Sequence, residues 1–253
     1  MMFLNNTEIG TVTRVVGIEP GVECIVIENG IGDVKVEAGR PGIVEVVARF
    51  KASRDAAPVS DRDVEITQGD GCMRIRASDA AIGARRVSYE VRVPMAINVK
   101  VKVAVGGIDV RGLSGEHNLR TGVGVINVEA ERIAGNSHFR AGTGKATIST
   151  HRLEGRVEGH IGAGNLTLTA GSAMLESGNF KAATGNIHLH LPVTYIGQID
   201  FKSAMGGVKL SNDIHLVPLN TTLVGSRAKG ALGQGPGLIT ASVAVGTISL
   251  ERK

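Results

Sequence analysis

A glycine returns along this chain about every 20 residues, and the residues around it keep step. It stands at Gly106, Gly124, Gly144, Gly164, Gly185 and Gly206, with steps of 18, 20, 20, 21 and 21 residues, and again at Gly246, 40 residues on. Toward the N-terminus, Gly71 and Gly32 stand 35 and 39 residues back, near two such periods each. Two residues before each of these glycines is a Gly or an Ala, as at Ala104, Gly122, Gly142, Gly162, Ala183 and Ala204. Two and four residues after it the side chains are apolar: Ile108 and Val110, Ile126 and Val128, Leu166 and Leu168, Ile187 and Leu189. Polar residues stand between them, among them Asp109, Asn127, Thr167 and His188. Alternation with period two is the mark of a strand with one face in a core. The small residue and the glycine fit a tight corner, where a Cβ is unwelcome or φ is positive.

A second strand precedes each corner, with Val101, Leu119, Phe139, Phe180 and Phe201 expected to point inward. Farther back, Leu113, Ile133, Leu153 and Met174 form a third recurring apolar place. No helical periodicity of useful length competes with this reading. A lone strand pair cannot bury its apolar side, whereas stacked copies can, each hydrogen-bonded to the next about 4.8 Å away. The pattern therefore predicts an all-β chain built as a parallel β-solenoid (β-helix) of ~20-residue coils over 95–253. Hairpin meanders and sandwiches are the competitors, but they rarely hold one register over so many copies. Residues 1–94 are less regular and read as first irregular coils or a cap, in one continuous domain with the rest. The Gly-rich 225–237 reads as an insertion loop. Composition agrees: aromatics are 3% of residues, Trp is absent and Gly numbers 35, which suits thin layers of Val, Ile and Leu.

The chain resembles the bacterial "putative adhesin" β-solenoid domains, a family of unknown function. The resemblance is carried by "YEVRVPMAINVKVKVAVGGIDVRGLSG" (Tyr89–Gly115), by the run of G-x-h-x-h phrases, and by "ITASVAVGTISL" (Ile239–Leu250). It covers most of the chain from about Gly17. It implies a bacterial, surface-associated or envelope-linked scaffold and supplies no catalytic residues.

Four residues before the corner glycine stand Lys102, Arg120, Arg140, His160, Lys181 and Lys202. They lie between inward-facing neighbours, so they are expected to form one outward row, the candidate polyanion-binding site. Rungs ~4.8 Å apart lie inside a Debye length of ~8 Å, so such a row repels itself. Glu158 and Asp200, two residues earlier in the phrase, are the expected relief. The row suits an acidic glycan or envelope polymer, or a lipid headgroup surface. Against specific nucleic acid stands the lack of interleaved aromatics for base stacking.

The other chemistry reads as absent. Outward acids such as Asp109, Glu129, Glu158, Asp200 and Asp213 fall in different columns, so no carboxylate pair for glycoside chemistry converges. His188 and His190 share a strand face without a third metal ligand, and His138, His151 and His160 are expected to make no cluster. "GTGKAT" runs into a strand, not the helix a phosphate loop needs. The expectation is therefore a non-enzymatic structural or interaction scaffold without catalytic, cofactor or metal residues; the alternative is a polyanion- or glycan-binding module. The expected partners are a second copy, through end or edge contacts, or an acidic glycan. Cys24 and Cys72 read as small buried hydrophobes, bridged only in an oxidising compartment. "MMFLNNTEIGTVTRVV" lacks a basic leader and a signal-length apolar run, and no stretch approaches a transmembrane helix. As written the chain is expected in the cytoplasm, with a surface or envelope setting open through a missing leader or non-classical export.

Overall fold

The computed structural model describes residues 7–52, 56–78, 86–211, 214, 219–221 and 225–253. Its strands are β1 (Thr7–Gly17), β2 (Cys24–Ile31), β3 (Val34–Gly39), β4 (Ile43–Ala52), β5 (Val64–Gly69) and β6 (Cys72–Ala77). They continue as β7 (Arg86–Pro94), β8 (Asn98–Val105), β9 (Ile108–Arg111), β10 (Ser114–Gly115), β11 (His117–Ile133) and β12 (Asn136–Leu191). The last are β13 (Gln198–Met205), β14 (Val208–Leu210), β15 (Leu219–Thr221), β16 (Ser226–Ala231), β17 (Leu238–Val245) and β18 (Ile248–Arg252). One 3-10 turn, Asp61–Asp63, is the only helical piece among the described residues.

The recurring phrases do lie side by side. Asn118 to Val128 pair in parallel with His138 to Ile148, with Gly124 beside Gly144 and Leu119 beside Phe139. β12 is hydrogen-bonded throughout its 56 residues, yet straight it would reach roughly 180 Å. It turns instead at Gly144, Gly155, Gly164 and Gly185, all at positive φ. The corner glycines stack: a Cβ on Gly164 would fall on the carbonyl oxygen of Gly144, and one on Gly185 on that of Gly164. The corner is closed to every side chain but hydrogen. Inward, Val101, Leu119, Phe139, Phe180 and Phe201 are buried in one core, as the alternation predicts.

The purely parallel β-solenoid is nevertheless incorrect. All 18 strands join one sheet of mixed orientation, wrapped into a nearly closed, barrel-like wall. β1 with β4, β4 with β7, β5 with β6, β13 with β16 and β15 with β16 run antiparallel. The repeated phrases report an inward face and a local register; they carry no information about the orientation of the strands that flank them.

Chain order also fails at both ends. β2 lies between β6 and β8, two segments that follow it in sequence. β17 lies between the Ser177–Thr184 part of β12 and β13, two segments that precede it. Gly71 is no corner glycine: Asp70 and Gly71, both at positive φ, form the two-residue turn of the β5–β6 hairpin. Met73 and Ile75 therefore pair with Ile25 and Ile27, before the corner rather than after it. The 225–237 insertion is a loop only in part, since β16 occupies Ser226–Ala231. Met174 is 77% exposed, and Leu175 takes the inward place beside Leu113, Ile133 and Leu153.

Candidate functional site

The basic row is real over its first half and interrupted in its second. Lys102 pairs with Arg120, and Arg120 with Arg140, on adjacent parallel strands. His160 follows within the electrostatic reach of Arg140 and Lys181. The next rung beyond Lys181 is Ser242, because β17 intervenes, and only then comes Lys202. At the opposite end the row passes from Lys102 to Glu28 and on to Arg76. β16 adds Arg227 beyond Lys202. Sequence reasoning missed Arg76 and Arg227 because their strands lie outside the repeated phrases.

The five Lys and Arg of the row are exposed. None of them makes an ion pair with a described carboxylate. Elsewhere most of the arginines are matched, among them Arg111 with Asp109 at 2.9 Å, Arg132 with Glu154 at 2.6 Å and Arg76 with Glu65 at 2.8 Å, while Lys100, Lys145 and Lys209 are not. The expected neutralisation by Asp200 fails, since Arg227 grips that carboxylate through two hydrogen bonds. That bond, with the guanidinium charge, lowers the Asp200 pKa. Glu158 does lie by the middle of the row, 3.8 Å from the His160 rung at Nε2 and 3.2 Å from His138 Nδ1 in the neighbouring column. Stacking thus brings His138 beside Glu158, 20 residues on, while His151 lies apart with Glu131. Burial, then the neighbouring Arg140 charge, lowers the His160 pKa. That keeps His160 predominantly neutral at physiological pH, a neutral rung between positive ones.

The remaining histidines divide into two kinds. His188 contacts Ser249 Oγ at 2.7 Å through Nδ1, and His190 lies 3.1 Å from Glu251. Both partners come from β18, which the sequence had not placed there. His151 sits 2.9 Å from Glu131. No group of three or more His, Cys, Asp and Glu among the described residues could hold a metal ion. His117 differs from all of these. It points into the core beside Val99, fully buried, with neither ring nitrogen hydrogen-bonded. Burial pushes its pKa down to about 4. Cys24 and Cys72, register partners on β2 and β6 with Cα atoms 4.6 Å apart, are joined in a disulfide. They do not remain the free buried thiols that sequence suggested.

No protein-family model matches this sequence, and no curated protein does. Among solved structures the chain is similar to a "putative adhesin" from Bacteroides fragilis. The identity is 12% and the TM-score 0.45, over 96% of this chain and 97% of that one. A "putative adhesin" from Parabacteroides distasonis gives the same identity, score and coverage. A "putative cell adhesion protein" from Clostridium sporogenes shares 12% identity at a TM-score of 0.37, over 96% and 100% of the two chains.

Proposed function

We propose that this chain is a non-enzymatic binding scaffold whose basic face takes a polyanionic surface. The observation that carries the reading is the set of five exposed, unpaired cations, Lys102, Arg120, Arg140, Lys181 and Lys202, in a molecule whose other arginines largely have acidic partners. Keeping like charges within a Debye length costs stability in the free protein, and a polyanion returns that cost on binding. The rigid sheet fixes the row in advance, so little ordering entropy opposes binding. The disulfide supports an oxidising setting for the scaffold, at the cell surface or in the envelope.

The test is retention on an acidic polysaccharide at increasing salt. Binding should weaken on the order of a hundredfold between about 50 and 200 mM salt, as expected when several cations release counterions. The triple variant Arg120→Glu, Arg140→Glu, Lys181→Glu should not bind. Salt-independent association of the chain with itself, and no binding to the polymer, would refute the proposal in favour of a self-assembling scaffold.

A further inference from the structure

The corner beside the basic row carries a second line of exposed residues, uncharged throughout and aliphatic at both ends. The residue just before each corner glycine faces water. In spatial order these residues begin Ile31, Val105, Val123, with Ile31 paired to Val105 and Val105 to Val123. They are 53%, 47% and 53% exposed. The line passes through Thr143 and, beyond the middle, Thr184, then Val245 and Met205, again register partners and again exposed. No charged side chain interrupts it.

The distance between the two lines follows from strand geometry. Each row cation precedes its ridge residue by three positions, roughly 10 Å along the chain. The position between them that points outward is small, as at Ala104, Gly122 and Gly142, so nothing holds an approaching surface away. Lys and Arg stems lie along such a strip and bring their charges toward the ridge. An open groove of roughly 430 Å³ at the Ile31 end sets Ala104 against Arg76, Lys102 and Glu28. Asp33, two residues after Ile31, accepts a hydrogen bond from the Gly107 N–H at 2.8 Å and lies 3.9 Å from Arg86.

We infer that the polyanionic surface is an anionic phospholipid membrane, with the ridge of Ile31, Val105, Val123, Val245 and Met205 seated among the headgroups and the basic row on the phosphates. The inference rests on the polyanion reading and narrows it. A soluble acidic glycan offers nothing to a bare valine, whereas the membrane interface accepts apolar residues and gathers cations in the same plane. Five cations beside a line that is aliphatic at both ends, with threonines between, form a pattern with charge on one side and grease on the other. That is the composition of an interfacial anchor built from a sheet instead of a helix.

The experiment is co-sedimentation of the full chain with vesicles of equal parts phosphatidylglycerol and phosphatidylcholine. Pure phosphatidylcholine vesicles and soluble heparin run in parallel. The chain should sediment with the anionic vesicles and not with the neutral ones. Ile31→Ser with Val105→Ser and Val123→Ser should lower vesicle affinity about tenfold while heparin binding stays at the wild-type level. Met205→Ser, at the other end, provides the same test should the triple variant lose its circular dichroism. Arg120→Glu with Arg140→Glu and Lys181→Glu should lower both by on the order of a hundredfold. Wild-type vesicle binding by the folded ridge variants, or heparin binding without vesicle binding, overturns the membrane assignment and leaves the polyanion reading. Binding to neither overturns both.

Discussion

Gly164→Ala is the substitution that most directly tests the stacked corner. Gly164 has φ +137°, a backbone region essentially reserved for glycine, so an alanine there is strained by about 1–3 kcal/mol. Its Cβ would also fall on the carbonyl oxygen of Gly144, which is main chain and cannot rotate aside. Relief requires neighbouring strands to part at the corner, with the loss of a hydrogen bond at about 1–2 kcal/mol. Together these predict a destabilisation of about 3–5 kcal/mol, which for a chain of this size is a fall in Tm of roughly 8–15 °C. Gly30→Ala is the matched control. Gly30 sits at a corner too, but its Cβ would meet nothing within 4 Å, and its register neighbourhood already carries Ala104. That change should stay within about 0.5 kcal/mol or stabilise slightly through the unfolded chain. Urea unfolding followed by circular dichroism decides between them. Equal midpoints for the two variants would refute the argument that the corner oxygens exclude a Cβ.

His117 sets a pH dependence. Its folded pKa of about 4 lies below the ordinary 6.5, so the unfolded chain binds the extra proton first. Stability is whole above about pH 6.5 and declines toward pH 4, with a loss of about 2 kcal/mol between pH 7 and pH 5. His117→Val, matching Val99 on the adjacent strand, should flatten that slope in urea titrations, and an unchanged slope would remove His117 as its cause. The Cys24–Cys72 bridge spans 48 residues, a loop whose closure is worth about 4 kcal/mol by chain entropy. Cys24→Ala with Cys72→Ala should lower the denaturant midpoint correspondingly, and reduction of the native protein should reproduce the shift.

What was legible in the sequence is what local alternation encodes. Leu119, Phe139 and Phe180 alternate with polar neighbours, and that alone fixes which side of the strand meets the core. The outward row from Lys102 to Arg140 follows from the same parity. Strand order is a different kind of information. Nothing around Ile239–Leu250 says that it will enter between two earlier segments, because its alternation would satisfy any neighbour of the same register. The disulfide was hidden by one misaligned glycine. With Gly71 placed at a corner, Cys72 follows the corner while Cys24 precedes it. Once Asp70–Gly71 is a hairpin turn, the two cysteines face each other. Met174 and Leu175 were confused for a simpler reason: one extra residue in that copy reverses the faces.

The late insertion of β17 constrains the order in which the molecule is completed. Until Val245 has been synthesised, the strand carrying Phe180 and the strand carrying Phe201 each lack a neighbour on the side that β17 later occupies. A growing chain that has reached Met205 therefore holds two bare edges facing one unfilled slot, and bare edges recruit other chains. β17 acts as a keystone, entering the middle of the wall instead of extending its end. Synthesis interrupted shortly before Leu238 would leave that slot open and the product sticky, while a chain that includes β17 fills it.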